Sequence, residues 1–222
     1  MMVERLVAFV TNASPAIENS LMAGLLVFVA KDFLKERIPF LRKDFFTRLP
    51  TSITAAKIVF VILVCVMLFQ SAVYSVGQYI AWQESGISKY LLPPHQPIKG
   101  FLNYVWQRFG KEPVAAFLLA GAVFFSIKLG NAFTGDRLFY DEEPYFAATG
   151  IMAAGWPSGM FVVGGALVLA CALQMLFVMS RFFLQQPTGR FPLVYFWIPL
   201  AILAINFGAI IGQWLGLQQF KM

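Results

Sequence analysis

The side chains best suited to acid–base, metal or thiol chemistry in this 222-residue chain are eleven carboxylates, one histidine and two cysteines. His95 stands in the loop sequence LLPPHQP, and a lone histidine cannot build a metal site. Cys65 and Cys171 both fall in apolar runs and form no CxxC pair, so a zinc ribbon and a thiol redox centre are both excluded and core packing is their expected role. A phosphate-binding glycine loop and a serine nucleophile motif are missing too, and no cofactor is expected. The carboxylates remain. Asp32, Glu36 and Asp44 stand among lysines and arginines that they can balance, while Asp141, Glu142 and Glu143 adjoin one another and read as a solvated acidic loop. Asp136 is different. It follows Gly135 directly in LGNAFTGDRLF, at the foot of an apolar run, where a glycine lets the backbone approach closely.

The elements that must position these groups are set by composition. Hydrophobic residues make up 59% of the chain and charged residues 13%, about half the roughly 25% typical of soluble domains. The mean hydropathy is +0.71. Apolar stretches close to the roughly 20 residues that cross a bilayer recur along the chain. Backbone groups in lipid must be bonded within their own segment, which makes these stretches helices, and the alternation of an outer-membrane barrel is missing. The expected fold is all-α: a polytopic membrane helical bundle of about six transmembrane segments in one domain spanning 1–222. The segments are expected at about 15–30, 53–80, 113–130, a short one at 146–156, then 160–180 and 191–217.

Charge orients the bundle. Lys31, Lys35, Arg37, Arg42, Lys43 and Arg48 form the densest basic cluster, which predicts a cytoplasmic loop. Residues 84–112 are then expected as a long, partly aromatic loop on the other face. The protein is expected in a bacterial cytoplasmic membrane, with the lipid bilayer as its partner. The net charge of +6 does not imply nucleic acid, because no soluble basic domain carries it. Lys57 and Lys128 lie near span ends and can snorkel to the interface. Asn12, Ser14, Pro15 and Glu18 interrupt the first apolar run, so it does not read as a cleavable signal.

Several of these features resemble the type IV prepilin peptidases, membrane aspartyl proteases with a GxGD motif. AKDFLKERIP resembles that family's first aspartate followed seven residues on by the proline of an Ile-Pro pair, with Asp32, Ile38 and Pro39 in those places. FLLAGAVFFSIKLGNAFTGD resembles the span that runs into the second aspartate, with Gly135 and Asp136 as its Gly-Asp. AATGIMAAGW is similar to the short alanine-glycine helix that follows, and RFPLVYFWIPLAILAINFGAIIG to the last span. The likeness runs over most of the chain in the family's order. The chain also departs from the pattern. Phe133 stands for the first glycine of GxGD, Leu138 for a lysine, and FYDEEPYF is inserted before the short helix. A second alignment is open as well: Asp44 lies six residues before Pro50, in a stretch that directly precedes the second span. Asp32 has the better spacing and Asp44 the better position.

The resemblance implies an aspartyl endopeptidase that cuts a basic leader from an apolar N-terminal helix in a prepilin-like membrane substrate. Asp136 and one of Asp32 or Asp44 would form its catalytic pair. Nothing matches the cysteine-rich insert of the methylating members, so methylation is not expected. Two other classes stay open. A non-catalytic scaffold or assembly subunit would fit a Phe133 that crowds the loop beside Asp136. A small transporter is the weaker alternative, because no helix core carries an evident ionisable residue at its middle.

Overall fold

In a computed structural model the described residues are 2–37, 51–135, 139–184 and 193–214, and among them the secondary structure is helical throughout. The helices are α1 (Met2–Arg37), α2 (Ser52–Glu84), α3 (Lys99–Val105), α4 (Lys111–Thr134), α5 (Glu143–Ala154), α6 (Ser158–Leu184) and α7 (Val194–Trp214). A single 3₁₀ turn, Ser88–Leu91, lies between α2 and α3. The all-helical class expected from the apolar runs is therefore observed. Among the described residues, three stretches are long and apolar enough to cross a membrane: Arg5–Lys31, Ser52–Glu84 and Lys99–Thr134. Shorter apolar stretches, Ser158–Leu173 and Phe196–Gly208, lie in α6 and α7.

The bundle is built around α5. Every residue from Glu143 to Ala153 except Tyr145 is buried, and the helix packs against α2, α4, α6 and α7. Its small residues are what allow four neighbours to approach a 12-residue helix. At Gly150 a Cβ would sit 3.2 Å from the Trp197 carbonyl oxygen of α7 and 3.4 Å from the Ala201 Cβ. Thr149 seals the α2 side, donating its hydroxyl to Tyr145 O at 2.7 Å and to Ala56 O at 3.3 Å. Phe146, Ile151 and Met152 fill the space between the surrounding helices together with Met22, Leu25, Leu63 and Ile198.

α1 runs antiparallel to both α2 and α7. The Thr11 and Tyr74 hydroxyls are hydrogen-bonded, Gln70 Nε2 donates to Ser14 Oγ, and the side-chain amides of Asn19 and Asn206 pair reciprocally. The C-terminal part of α1 therefore ends beside the starts of α2 and α7.

Two expectations about the elements are corrected. Helix α1 begins well before residue 15, and Thr11 and Ser14 in its first half find partners on α2. Residues 99–112 are helical and do not belong to a loop. α3 passes through a π-helical turn, Trp106–Gly110, into α4, which makes one helical stretch from Lys99 to Thr134. Ser71 Oγ of α2 donates to the Phe109 carbonyl in this turn at 3.0 Å, satisfying an acceptor in the widened ladder. Tyr79 and Trp82 of α2 pack edge-on against Phe101 of α3, each with centroids 5.3 Å apart.

Candidate functional site

One end of the bundle gathers the polar residues. α4 stops at Gly135, whose φ of 62° and ψ of 51° place it in the left-handed region that glycine enters at least cost. Thr134 donates its hydroxyl back to Gly130 O at 2.7 Å in the last turn. Beyond the cap, Asn131 holds the returning chain with both ends of its amide: Nδ2 donates to Phe139 O at 2.9 Å and Oδ1 accepts from Phe139 N at 2.8 Å. Asn131 is itself buried. Residues 131 and 139 are thus clamped together on either side of the Gly135 cap.

Neighbouring helix starts complete this end. Thr51 caps α2, its hydroxyl accepting from Thr54 N at 3.4 Å. The hydroxyl of Ser52, in the first turn of α2, donates to Glu142 Oε2 at 3.1 Å. Glu143 is 1% exposed, and its Oε1 accepts from Leu193 N at 3.1 Å, just before α7 begins. The expectation of a solvated acidic loop is therefore corrected at these two positions. Glu142 ties the start of α5 to α2, and Glu143 ties it to α7. Lys31, near the end of α1, is also buried, and its ammonium lies 5.6 Å from the Phe28 ring centroid.

Lys57 of α2 and Lys128 of α4 converge on one aromatic ring. Their ammonium nitrogens lie 4.7 Å and 5.6 Å from the ring centroid of Tyr145 in α5. Both lysine side chains are exposed.

The sequence-predicted site residues fall unevenly on this framework. Gly135 is the left-handed cap described above. Asp32 lies in α1 one residue past the buried Lys31, with its backbone described and its side chain outside what is described. Asp136, Asp44, Pro39 and Pro50 lie outside the described residues. Phe133 is 86% exposed, and the segment beside Asp136 that it was expected to crowd lies outside the described residues.

Residues that sequence reasoning passed over also contribute. Asn131 was signalled by its type, an amide in the last turn of an apolar helix. Glu18 lies at the middle of the apolar part of α1, where no ionisable residue was expected, and accepts from Ser14 Oγ at 2.8 Å. No second ionisable side chain hydrogen-bonds to Glu18 among the described residues. Groups of three or more metal-ligating side chains are likewise missing among the described residues. In comparisons with known proteins, no family model, no curated protein and no solved structure matches the chain.

Proposed function

We propose that this protein is an integral membrane aspartyl endopeptidase, similar to the prepilin peptidases, that cuts at the boundary between a basic leader and an apolar helix. The observation that carries this reading is convergence. The C-terminal part of α1, which bears Asp32, ends beside the starts of α2 and α7, and the left-handed Gly135 that precedes Asp136 caps α4 at the end of the bundle where α5 starts, the start of α5 being joined to α2 by the Ser52–Glu142 bond.

Hydrolysis in this reading follows from two carboxyl groups sharing one proton, because repulsion opposes ionising both at close range. The ionised member takes a proton from water as the water oxygen bonds to the scissile carbonyl carbon. The protonated member donates to the carbonyl oxygen. Collapse of the tetrahedral species breaks the C–N bond: the proton held by the first carboxyl passes to the leaving amine, and as the C=O bond re-forms a hydroxyl proton returns to the second carboxyl. Six membrane segments in a bacterial cytoplasmic membrane, with the basic 31–48 stretch inside, would bring this site to the edge where such a leader emerges.

Cleavage of a co-expressed prepilin-like substrate tests the reading. Wild type should cut it, and Asp136→Asn should lower the rate by at least a thousandfold. Just one of Asp32→Asn and Asp44→Asn should do the same, which names the partner. Correctly inserted wild type that cuts none of several substrates would place the protein among non-catalytic scaffolds.

A further inference from the structure

An apolar groove of about 320 Å³ runs between α2, α4 and α5. Phe60, Val61, Phe117, Gly121, Phe124 and Ala148 form most of its wall, and Lys57 and Tyr145 stand at one end. Val61 and Phe117 are exposed, so the groove opens sideways, toward lipid in a chain that spans the membrane. The lysine end is chemically distinct from the rest. Lys57 and Lys128 both approach the Tyr145 ring, and among the described residues no carboxylate pairs with either ammonium. Each lysine stands five or six residues from the end of its helix, about 8–9 Å at 1.5 Å per residue. Long side chains at that depth reach the headgroup layer.

The chemistry of the wall and its charge together select the occupant. The apolar, sideways-open wall suits a hydrocarbon chain lying along it. Two unpaired ammonium groups at the mouth call for an anionic headgroup, and they would repel a basic leader. We propose that this groove is a binding site for one anionic phospholipid, with an acyl chain lying between Phe60, Phe117 and Phe124 and the phosphate held by Lys57 and Lys128. This site is independent of the peptidase reading and stands whether or not the chain cuts a substrate.

The test is native mass spectrometry of the full-length protein in detergent, titrated with dioleoyl phosphatidylglycerol and with dioleoyl phosphatidylcholine. Phosphatidylglycerol should bind at least tenfold more tightly. The double substitution Lys57→Gln with Lys128→Gln should erase that preference. The expected loss is about fivefold per lysine and about 25-fold for the pair. Lys57→Arg with Lys128→Arg should retain the preference and so control for folding. Gly121→Leu provides a second arm, because a Cβ at Gly121 meets no atom within 4 Å and the new side chain can enter the groove without a clash at its base. That variant should unfold at an unchanged temperature in lipid-free detergent and lose binding of both lipids. Equal binding of the two lipids by wild type would overturn the proposal, as would undiminished binding in Gly121→Leu. Displacement of phosphatidylglycerol by an apolar acidic peptide, with no lipid effect in the lysine variants, would assign the groove to a protein segment instead.

Discussion

Asn131 acts at the end of α4 as a strand partner would, giving Phe139 one donor and one acceptor at backbone-like distances of 2.9 and 2.8 Å. The pair of bonds ties the last turn of α4 to the chain just before α5. Asn131→Leu removes both and leaves two part-buried backbone groups to find water, a cost of about 1–3 kcal/mol. Thermal unfolding of the purified protein should show this as a lowered midpoint. Asn131→Asp keeps the acceptor for Phe139 N and loses only the donor, and should fall between the two. Under the proposed peptidase reading, both variants should lower kcat more than they raise KM in a cleavage assay. Glu143 is a parallel case with the opposite history. Its three-residue acidic neighbourhood, Asp141 to Glu143, looks solvated in sequence. Local charge density gives no sign that one of three carboxyl groups will turn inward to receive Leu193 N. That bond joins residues fifty positions apart, which no window along the chain can see. Gly135 drew notice for a different reason, close backbone approach; its left-handed cap is a finding of the structure, although the sign of it, a glycine at a helix end, is local.

At the scale of elements, α5 depends on small residues in a way that can be measured. Gly150→Val forces a branched side chain against the Trp197 carbonyl and Ala201, and should destabilise the protein by about 1–3 kcal/mol. Gly164→Ala is the matched control. A Cβ there meets nothing within 4 Å, and alanine favours a helix interior by up to about 1 kcal/mol, so its unfolding temperature should hold or rise. The dense Ala and Gly content of AATGIMAAGW made a closely packed short helix legible, because few other roles suit such a run. The α3 segment was harder. Phe101, Val105 and Phe109 recur every four residues and mark a helical face, yet Gly100, Gly110 and the surrounding polar residues resemble a loop. Aromatic contacts from Tyr79 and Trp82 support α3, and these come from a different helix. The first half of α1 was hidden likewise. Ser14 and Asn19 look like breaks in an apolar run until Gln70 and Asn206 supply their partners.

For the whole molecule, the length of α2 sets a geometric constraint. Its 33 residues extend about 50 Å, against a hydrocarbon core of about 30 Å, so a membrane-crossing α2 must carry at least one end well clear of the core. Thr51 and Ser88 flank the helix on either side, the first at its N-cap and the second in the 3₁₀ turn that follows. The basic residues from Lys31 to Arg48 precede the N-cap and predict that this end faces the cytoplasm. Single cysteines at Thr51 and at Ser88, in a background where Cys65 and Cys171 are alanine, convert this into a labelling experiment. A membrane-impermeant maleimide applied to intact bacterial spheroplasts should label the Ser88→Cys variant. Thr51→Cys should react only after the membrane is opened. The reverse pattern would keep the span and invert the bundle, moving the Asn131 clamp and the proposed lipid site to the outer leaflet. Labelling of both positions in intact cells would mean that α2 does not cross at all, and the antiparallel packing of α1 along it would then have to be explained without a bilayer.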